Sequence, residues 1–260
     1  MEDVLLLDIQ GPVARLTLNR PKAMNALNLA MLARLECELR DIAAHPELRV
    51  LVLTGSGAAF CAGADLKEAL AGAELAPGEA DFLDRARTVF DQLRNFPKPV
   101  IAALNGVTMA GGLELAMCAD IIVAADSATI GDAHANFGVY PGAGGAAVLP
   151  RLIPLNQAMY LLLTGKSLSA AEMQAAGLVA EVHPAEQLAD ATLKLAKQIA
   201  RHSPIVLQRI KQVARASADK SRDDALLHEQ VMLRQHLRSY DLSEGLRAFS
   251  EKRAPQFQGR

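Results

Sequence analysis

The feature that most constrains the fold is an alternation of strand-like and helix-like segments in the first half of the chain. Residues 4–9 and 13–19 are short apolar runs on either side of Gly11-Pro12, which predicts a β-hairpin. Apolar residues then recur at helical spacing between residues 28 and 45, and the continuous apolar run 50–54 is typical of a buried strand. Because parallel strands need long crossovers, this alternation predicts an α/β domain with largely parallel sheets.

The same cycle occurs twice more along the chain. Residues 81–96 have an amphipathic helical pattern, and the apolar run 100–104 follows them. A short helix is predicted over 112–119, before a further strand over 121–125. A mobile loop is predicted between the first two cycles from its turn-forming residues, Gly72, Pro77 and Gly78.

From about residue 156 the pattern changes to consecutive helices. They are predicted, with clustered Lys and Arg, over residues 188–202, 204–218 and 223–239. We therefore expect an α/β core over residues 1–190 and a helical region over residues 191–260 that packs on a core of its own or of a partner chain.

Composition excludes several classes of protein. A 260-residue chain with 51% hydrophobic and 22% charged residues is not a disordered chain. A net charge of −2 offers no general attraction to nucleic acid or to an anionic membrane. The acidic start at residues 1–3 is unlike a targeting peptide, the uncharged stretches are too short to span a bilayer, and three scattered cysteines suggest a reducing compartment. We expect a cytoplasmic protein without a structural metal.

Four segments rich in glycine and small residues lie beside the predicted strand ends, where α/β folds place ligands. They are residues 21–27, 60–66, 105–114 and 141–145. Each segment alone is also explained by tight turns and close packing.

The third of these segments carries more information, because Gly111-Gly112 opens a helix that contains Glu114. A backbone N–H at the start of a helix is unpaired within the helix and points outward. The N–H of Ala64, in the second segment, could converge on the same point. Two such groups would form an oxyanion hole for a carbonyl oxygen on which charge develops.

Together these segments resemble the enoyl-CoA hydratase/isomerase (crotonase) family, in its order and at its spacing. The motifs are NRP and NAL within 19–27, FCAGADL at 60–66, NG and AGGLELA within 105–116, and PGAGG at 141–145. Residues 164–166, 177–179 and 244–253 extend the resemblance over nearly the whole chain.

The resemblance implies a crotonase-like ββα spiral of two stacked sheets with a C-terminal helical trimerisation region. It implies an acyl-CoA thioester substrate, a homotrimer or a dimer of trimers, and no cofactor, since coenzyme A is part of the substrate. It also implies that the backbone N–H groups of Ala64 and Gly111 form the oxyanion hole. Residues implied to bind CoA are Lys22, Ala23, Ala62, Ala64, Asp65, Leu66, Lys67, Gly142 and Lys252.

Family hydratases add water across a 2-enoyl-CoA with two glutamates, one of which matches Glu114. The position of the second is eight residues before Gly142 and holds His134. An imidazole has an unperturbed pKa of about 6.5, suited to donating a proton at neutral pH. Asp132 could orient or replace it, because on an extended chain residues two apart point along the same face.

We therefore expect hydration of a 2-enoyl-CoA to a 3-hydroxyacyl-CoA, with Glu114 and His134 as the acid-base pair. The substitution at His134 leaves open an isomerase, a hydrolase or a decarboxylase of the same family. Two alternatives outside catalysis are an RNA-binding role, from the basic residues of the last helices, and a catalytically silent scaffold. Retention of Glu114 and of both oxyanion segments argues against the scaffold.

Two other signals are dismissed. Residues 142–147 fit the dinucleotide pattern G-x-G-x-x-A, but Pro150 interrupts the predicted helix. The pattern also needs an acidic residue about 20 positions later, and none occurs between Gly142 and Glu172. No nicotinamide or flavin site is expected there. Cys61 is interpreted as a small buried apolar residue rather than a nucleophile.

Overall fold

A computed structural model describes residues 3–71 and 81–260 of the chain. The loop predicted around Gly72, Pro77 and Gly78 lies outside the described residues. Within the described part, the chain forms two β-sheets surrounded by helices.

The larger sheet contains the apolar strands that were predicted. Its order is β1-β2-β3-β5-β7-β10, and only the β1–β2 hairpin is antiparallel. The strands are β1 (Leu5–Gln10), β2 (Val13–Leu18), β3 (Val50–Gly55), β5 (Val100–Leu104), β7 (Ile121–Ala125) and β10 (Glu181–His183). β5 is buried along its whole length, as its continuous apolar sequence predicts.

Two predicted crossover helices pack on each other, and the short helix α2 (Leu66–Ala71) contacts the second of them. Helix α1 (Leu29–Ala44) begins at Asn28, whose Oδ1 accepts the backbone N–H of Met31 at 3.0 Å. Helix α3 (Phe82–Arg94) begins at Asp81 with a capping box. The buried face of α1 is the predicted apolar stripe: Met31, Leu32, Leu35, Leu39 and Ile42.

The smaller sheet consists of strands of three residues each, in the order β4-β6-β8-β9. They are β4 (Ala59–Cys61), β6 (Val107–Met109), β8 (Thr129–Gly131) and β9 (Ser167–Ser169). Helix α4 (Gly111–Ala116) lies against β4, and a Cβ at Gly112 would overlap the backbone oxygen of Cys61. Gly112 is therefore required for this close approach. The two sheets confirm the α/β fold class.

The helices that follow β8 in the chain complete the fold. They are α5 (Leu149–Leu152), α6 (Leu155–Thr164), α7 (Ala170–Ala175), α8 (Leu188–Ile199), α9 (Pro204–Ser217), α10 (Arg222–His236) and α11 (Tyr240–Ser250). Helix α8 packs on β2, β3, β5, β7 and β10, so the predicted boundary at residue 190 falls within a helix that covers the larger sheet.

Helices α9 and α10 pack on each other and leave an apolar face in contact with solvent. Exposed side chains on this face include Ile210, Leu226 and Leu233. Helix α9 is held to the core by Asp120, which forms ion pairs with Lys211 at 2.7 Å and Arg215 at 2.8 Å. Among the described residues, no helix has both the length and the apolar character needed to span a bilayer.

Candidate active site

The segment of residues 21–27 lies along the segment of residues 59–65. The amide of Asn25, which is fully buried, donates to the backbone oxygens of Ser56 at 2.9 Å and Ala59 at 2.7 Å. The N–H of Ala62 donates to the oxygen of Met24 at 3.0 Å, and that of Leu27 to the oxygen of Gly63 at 2.8 Å. These bonds bring two of the glycine-rich segments together.

An ion pair adds a second link between the same segments. The guanidinium of Arg20 donates to Asp65 at 3.0 Å and also to the backbone oxygen of Ala26. Both charged side chains of the pair are about one-fifth exposed. Asp65, predicted to bind CoA, therefore has a structural partner within the chain.

Gly111 opens helix α4 beside Ala64. A Cβ built on Gly111 would lie 3.4 Å from the backbone nitrogen of Ala64. Ala110, which precedes the helix, has a φ of 49°, a left-handed conformation that is uncommon for a residue with a Cβ. Neither the N–H of Ala64 nor that of Gly111 donates to an acceptor in residues 3–71 or 81–260. Both N–H groups are thus close together and available to a ligand.

Glu114 lies in the first turn of α4 and is 3% exposed. Its Oε1 accepts the backbone N–H of Ala143 at 2.8 Å and that of Gly145 at 2.9 Å. The glycine-rich loop at residues 141–145 therefore orients this carboxylate. It leaves Oε2 free to interact with a different group.

That group is the imidazole of His134, whose Nε2 lies 3.9 Å from Oε2 of Glu114. The other ring nitrogen, Nδ1, lies 2.8 Å from Oδ1 of Asp132, and the same oxygen accepts the backbone N–H of His134 at 3.1 Å. The chain is not extended here, contrary to the sequence-based argument, because a 3-10 helix begins at His134. It is this turn that folds the Asp132 carboxylate onto the ring.

The surroundings of His134 change its acid-base behaviour. Burial lowers the pKa of His134, but the hydrogen bond and negative charge of Asp132, with the charge of Glu114, outweigh that effect. The net result is a pKa above the ordinary value for histidine. The protonated imidazole therefore persists to a higher pH than in an ordinary histidine.

Arg94 is a site residue that the sequence analysis missed. From the last turn of α3 its guanidinium donates to the backbone oxygen of Ala143, and it also pairs with Asp91 at 2.8 Å. It thus supports the loop that orients Glu114. The signal in the sequence was only an arginine at the end of a predicted helix, which most often faces solvent.

The residues predicted to bind CoA divide into two groups. Lys22, Leu66, Lys67 and Gly142 are exposed, and Ala23, Ala62, Ala64 and Asp65 are partly exposed. Lys252 is exposed beyond α11, and within the described residues no hydrogen bond or ion pair links it to the other predicted positions. A role for Lys252 in binding CoA stays a prediction.

Two further expectations from the sequence concern Cys61, interpreted as a buried apolar residue, and the absence of a structural metal. Cys61 is fully buried, and burial raises the pKa of its thiol to about 12, so it is a thiol at neutral pH. This confirms its interpretation as a buried apolar residue. In residues 3–71 and 81–260, no three His, Cys, Asp or Glu side chains are grouped to hold a metal ion.

Comparison with known proteins assigns this chain and its fold to one class. The profile of the enoyl-CoA hydratase/isomerase family matches residues 8–260. A chain with the sequence pattern of this family thus has two β-sheets. Its buried Glu114 lies on the short helix α4, beside the glycine-rich loop at residues 141–145.

Individual relatives agree over the full length of the chain. The 2,3-dehydroadipyl-CoA hydratase of Escherichia coli is 40% identical over 256 residues, 98% of this chain and 99% of the relative. The (E)-benzylidenesuccinyl-CoA hydratase of Thauera aromatica is 35% identical over 254 residues, 97% of this chain and 98% of the relative. The crystal structure of an enoyl-CoA hydratase from Bacillus anthracis superimposes with a TM-score of 0.92 at 35% identity, covering 99% of this chain and 100% of that one. The chain belongs to the enoyl-CoA hydratase/isomerase family.

Proposed function

We propose that this protein hydrates a 2-enoyl-CoA to a 3-hydroxyacyl-CoA. Membership of the family and relatives named as hydratases support the reaction class. The observation that carries the proposal is the 3.9 Å separation of Glu114 Oε2 and His134 Nε2, next to the paired N–H groups of Ala64 and Gly111. Hydration needs one group to accept a proton from water and another to deliver a proton to the α-carbon.

Each group has a defined task in the proposed reaction. Glu114 takes a proton from water as its oxygen forms a bond to the β-carbon. The electrons of the double bond move toward the thioester oxygen, where the N–H groups of Ala64 and Gly111 stabilise the negative charge. His134 then donates a proton from Nε2 to the α-carbon. Transfer of the proton held by Glu114 to Nε2 restores the starting state.

CoA binding is proposed for the exposed rim of the site. Residues 62 and 64–67 line the CoA site in this proposal, with Lys22 and Ala23 near the nucleotide-pantetheine part. Gly142 is the CoA-binding residue of the loop at residues 141–145. Their support is exposure beside the oxyanion segments. Lys252, a basic and exposed residue near the carboxyl terminus, is proposed to reach the CoA phosphates of its own or of a neighbouring subunit.

Assembly and location form the remaining part of the proposal. We propose a homotrimer or a dimer of trimers located in the cytoplasm, acting on a CoA substrate without a separate cofactor. The exposed apolar face of α9 and α10 supports assembly, because a face of this kind is stabilised by burial against another chain. Sedimentation velocity of the full chain tests it, and a monomer at micromolar concentration would contradict it.

Crotonyl-CoA is the substrate that tests the reaction. Loss of the conjugated enoyl absorbance, with 3-hydroxybutyryl-CoA identified by mass, is the expected result. Absence of turnover between pH 6 and 9 would contradict hydration. A 3-enoyl-CoA and a branched 3-oxoacyl-CoA supplied in parallel would then detect isomerisation or hydrolysis in the same pocket.

A further inference from the structure

We infer that Asp132 is a positioning residue that holds His134 with its proton on Nδ1, so that Nε2 is the only ring atom that exchanges a proton with the substrate. This inference rests on the proposed function, because it assigns a role to a residue behind the proposed proton donor. It goes beyond the two-group scheme, since the hydrogen bonds that Asp132 accepts from the described residues all come from His134.

The geometry around Asp132 supports this role directly. One carboxylate oxygen, Oδ1, lies 2.8 Å from Nδ1 of His134 and 3.1 Å from its backbone nitrogen. Two bonds to the same residue hold both the ring and its backbone. A carboxylate oxygen only accepts, so Nδ1 must carry the proton. Nε2, on the side of Glu114, then has the lone pair in the neutral ring and the second proton in the imidazolium.

The second carboxylate oxygen provides independent evidence. Asp132 is 1% exposed, and its buried Oδ2 accepts no hydrogen bond from the described residues. A Cβ on Gly145 would come within 2.5 Å of this oxygen, so only glycine leaves room for it. The donors that the structure gives Asp132 therefore all belong to His134. A buried carboxylate with one partner favours a positive charge on that partner.

Charged groups on the neighbouring elements do not compensate Asp132. Glu114, from α4, adds a second negative charge near the ring. Helix α6, which packs against residues 134–137, has Tyr160 as its only ionisable side chain. Helix α7, beside β8, contributes Glu172, which is bound to Ser169. Arg94 of α3 is engaged by Asp91 and Ala143.

The proton that reaches the substrate consequently comes from an imidazolium. The ring holds one proton on Nδ1 toward Asp132 and gives up the second from Nε2. This form is present below the raised pKa of His134 and is lost as the pH rises through it. In Asp132→Asn the amide oxygen still accepts from Nδ1 but the charge is gone. The imidazolium should then be lost at a lower pH.

The first experiment measures which ring nitrogen of His134 carries a proton and at what pH the ring titrates. In the full chain labelled with ¹⁵N-histidine, the His134 ring above its pKa should carry its proton on Nδ1 and none on Nε2. The Asp132→Asn variant should titrate at a lower pH than the unmodified chain. A ring that carries its proton on Nε2, or an unchanged titration in a folded variant, would overturn the inference. The first of these measurements needs no variant, so it holds even if Asp132→Asn does not fold.

The second experiment reports the reaction. The high-pH limb of kcat/KM for crotonyl-CoA should move to lower pH in Asp132→Asn, with a loss of about 10-fold at neutral pH, less than the ~10²- to 10⁴-fold for loss of a general acid. Glu181→Gln is the matched control, because Glu181 binds the ring of His183 at 2.9 Å in an exposed pair. Glu181→Gln should not change the pH at which the high-pH limb of kcat/KM falls.

The two experiments separate the inference from the function on which it rests. A lowered His134 titration in a protein that hydrates no enoyl-CoA would contradict the proposed function and retain the role of Asp132. Hydration with a high-pH limb that does not move in folded Asp132→Asn would overturn the role of Asp132 and retain the function.

Discussion

Nε2 of His134 and Oε2 of Glu114 lie 3.9 Å apart, although the two residues belong to different elements. Backbone N–H groups of the loop at residues 141–145 hold the other oxygen of Glu114, and Asp132 holds the other nitrogen of His134. Each side chain therefore presents one remaining atom to the same space. This arrangement allows two-group acid-base chemistry between them.

Glu114→Gln should remove water activation while keeping the fold. A glutamine amide preserves the size of the side chain but cannot accept a proton, and we expect kcat/KM for crotonyl-CoA to fall by about 10²- to 10⁴-fold. Steady-state loss of the enoyl absorbance measures it. Glu181→Gln, at an exposed position, is the matched control and should be unaffected. Normal turnover in Glu114→Gln would show that another residue activates water.

His134→Glu places the family's usual acid at this position. A glutamate there can deliver the proton to the α-carbon, so we expect hydration to be retained or raised. The high-pH limb of the kcat/KM profile should also change, because it would no longer follow an imidazole. A folded variant without turnover, verified by circular dichroism, would mean that the pocket serves a different reaction.

Gly145→Ala should displace both the carboxylate of Asp132 and the loop that orients Glu114. The added Cβ would meet Oδ2 of Asp132 at 2.5 Å and the Cβ of Pro141 at 2.8 Å, and the loop that orients Glu114 must then shift. We expect at least a tenfold loss of kcat/KM and about 1–3 kcal/mol lower free energy of unfolding.

Gly142→Ala is the control for this change. A Cβ at Gly142 meets nothing within 4 Å, and the residue is exposed in the same loop. Urea unfolding of the two variants measures the difference in stability; turnover is compared with the unmodified chain for Gly145→Ala alone, because Gly142 is itself proposed to bind CoA. Equal effects at both positions would refute the steric argument.

Lys22→Ala and Lys252→Ala test the proposed CoA contacts. Each lysine is exposed, so we expect KM for crotonyl-CoA to rise about two- to fivefold with kcat unchanged, and the effect to shrink at high salt. Lys197→Ala, on the exposed side of α8, should change neither constant. A decrease in kcat with constant KM would contradict a role confined to binding.

Glu244 should make stability depend on pH in the acid range. Hydrogen bonds from Arg253, from the backbone N–H of Gln256 and from Arg247 hold the pKa of Glu244 at about 2. A carboxyl with a depressed pKa stabilises the folded chain above its unfolded pKa, about 4.3, and loses that contribution as the pH falls toward 2.

The Tm difference between the unmodified chain and Glu244→Gln should accordingly be constant from pH 7 to 5 and shrink below pH 4. Glu251→Gln removes a more exposed carboxylate that also pairs with Arg253, at 2.6 Å, and should lower Tm much less. A Tm difference for Glu244→Gln that does not depend on pH would contradict the prediction.

Much of the larger sheet and its crossover helices could be predicted from the sequence. The apolar stripe of α1 and the continuous apolar run of β5 are periodic patterns carried by residues close together in the chain. The strands of the smaller sheet could not be predicted individually, because three residues such as Thr129–Gly131 are too few to show a period. Their pairing depends on neighbours far away in the sequence.

The candidate site likewise has features that the sequence predicts and features that depend on folding. The sequence by itself determined which residues are proposed to carry the chemistry, Glu114 and His134, because a motif preserves residue type and spacing. Only the tertiary structure decided that Asp132 holds the ring through a turn and that Arg94 supports the loop. The reason is physical: residue types and local periods are written along the chain, whereas hydrogen-bond partners, burial and the pKa of His134 arise from groups that folding brings together.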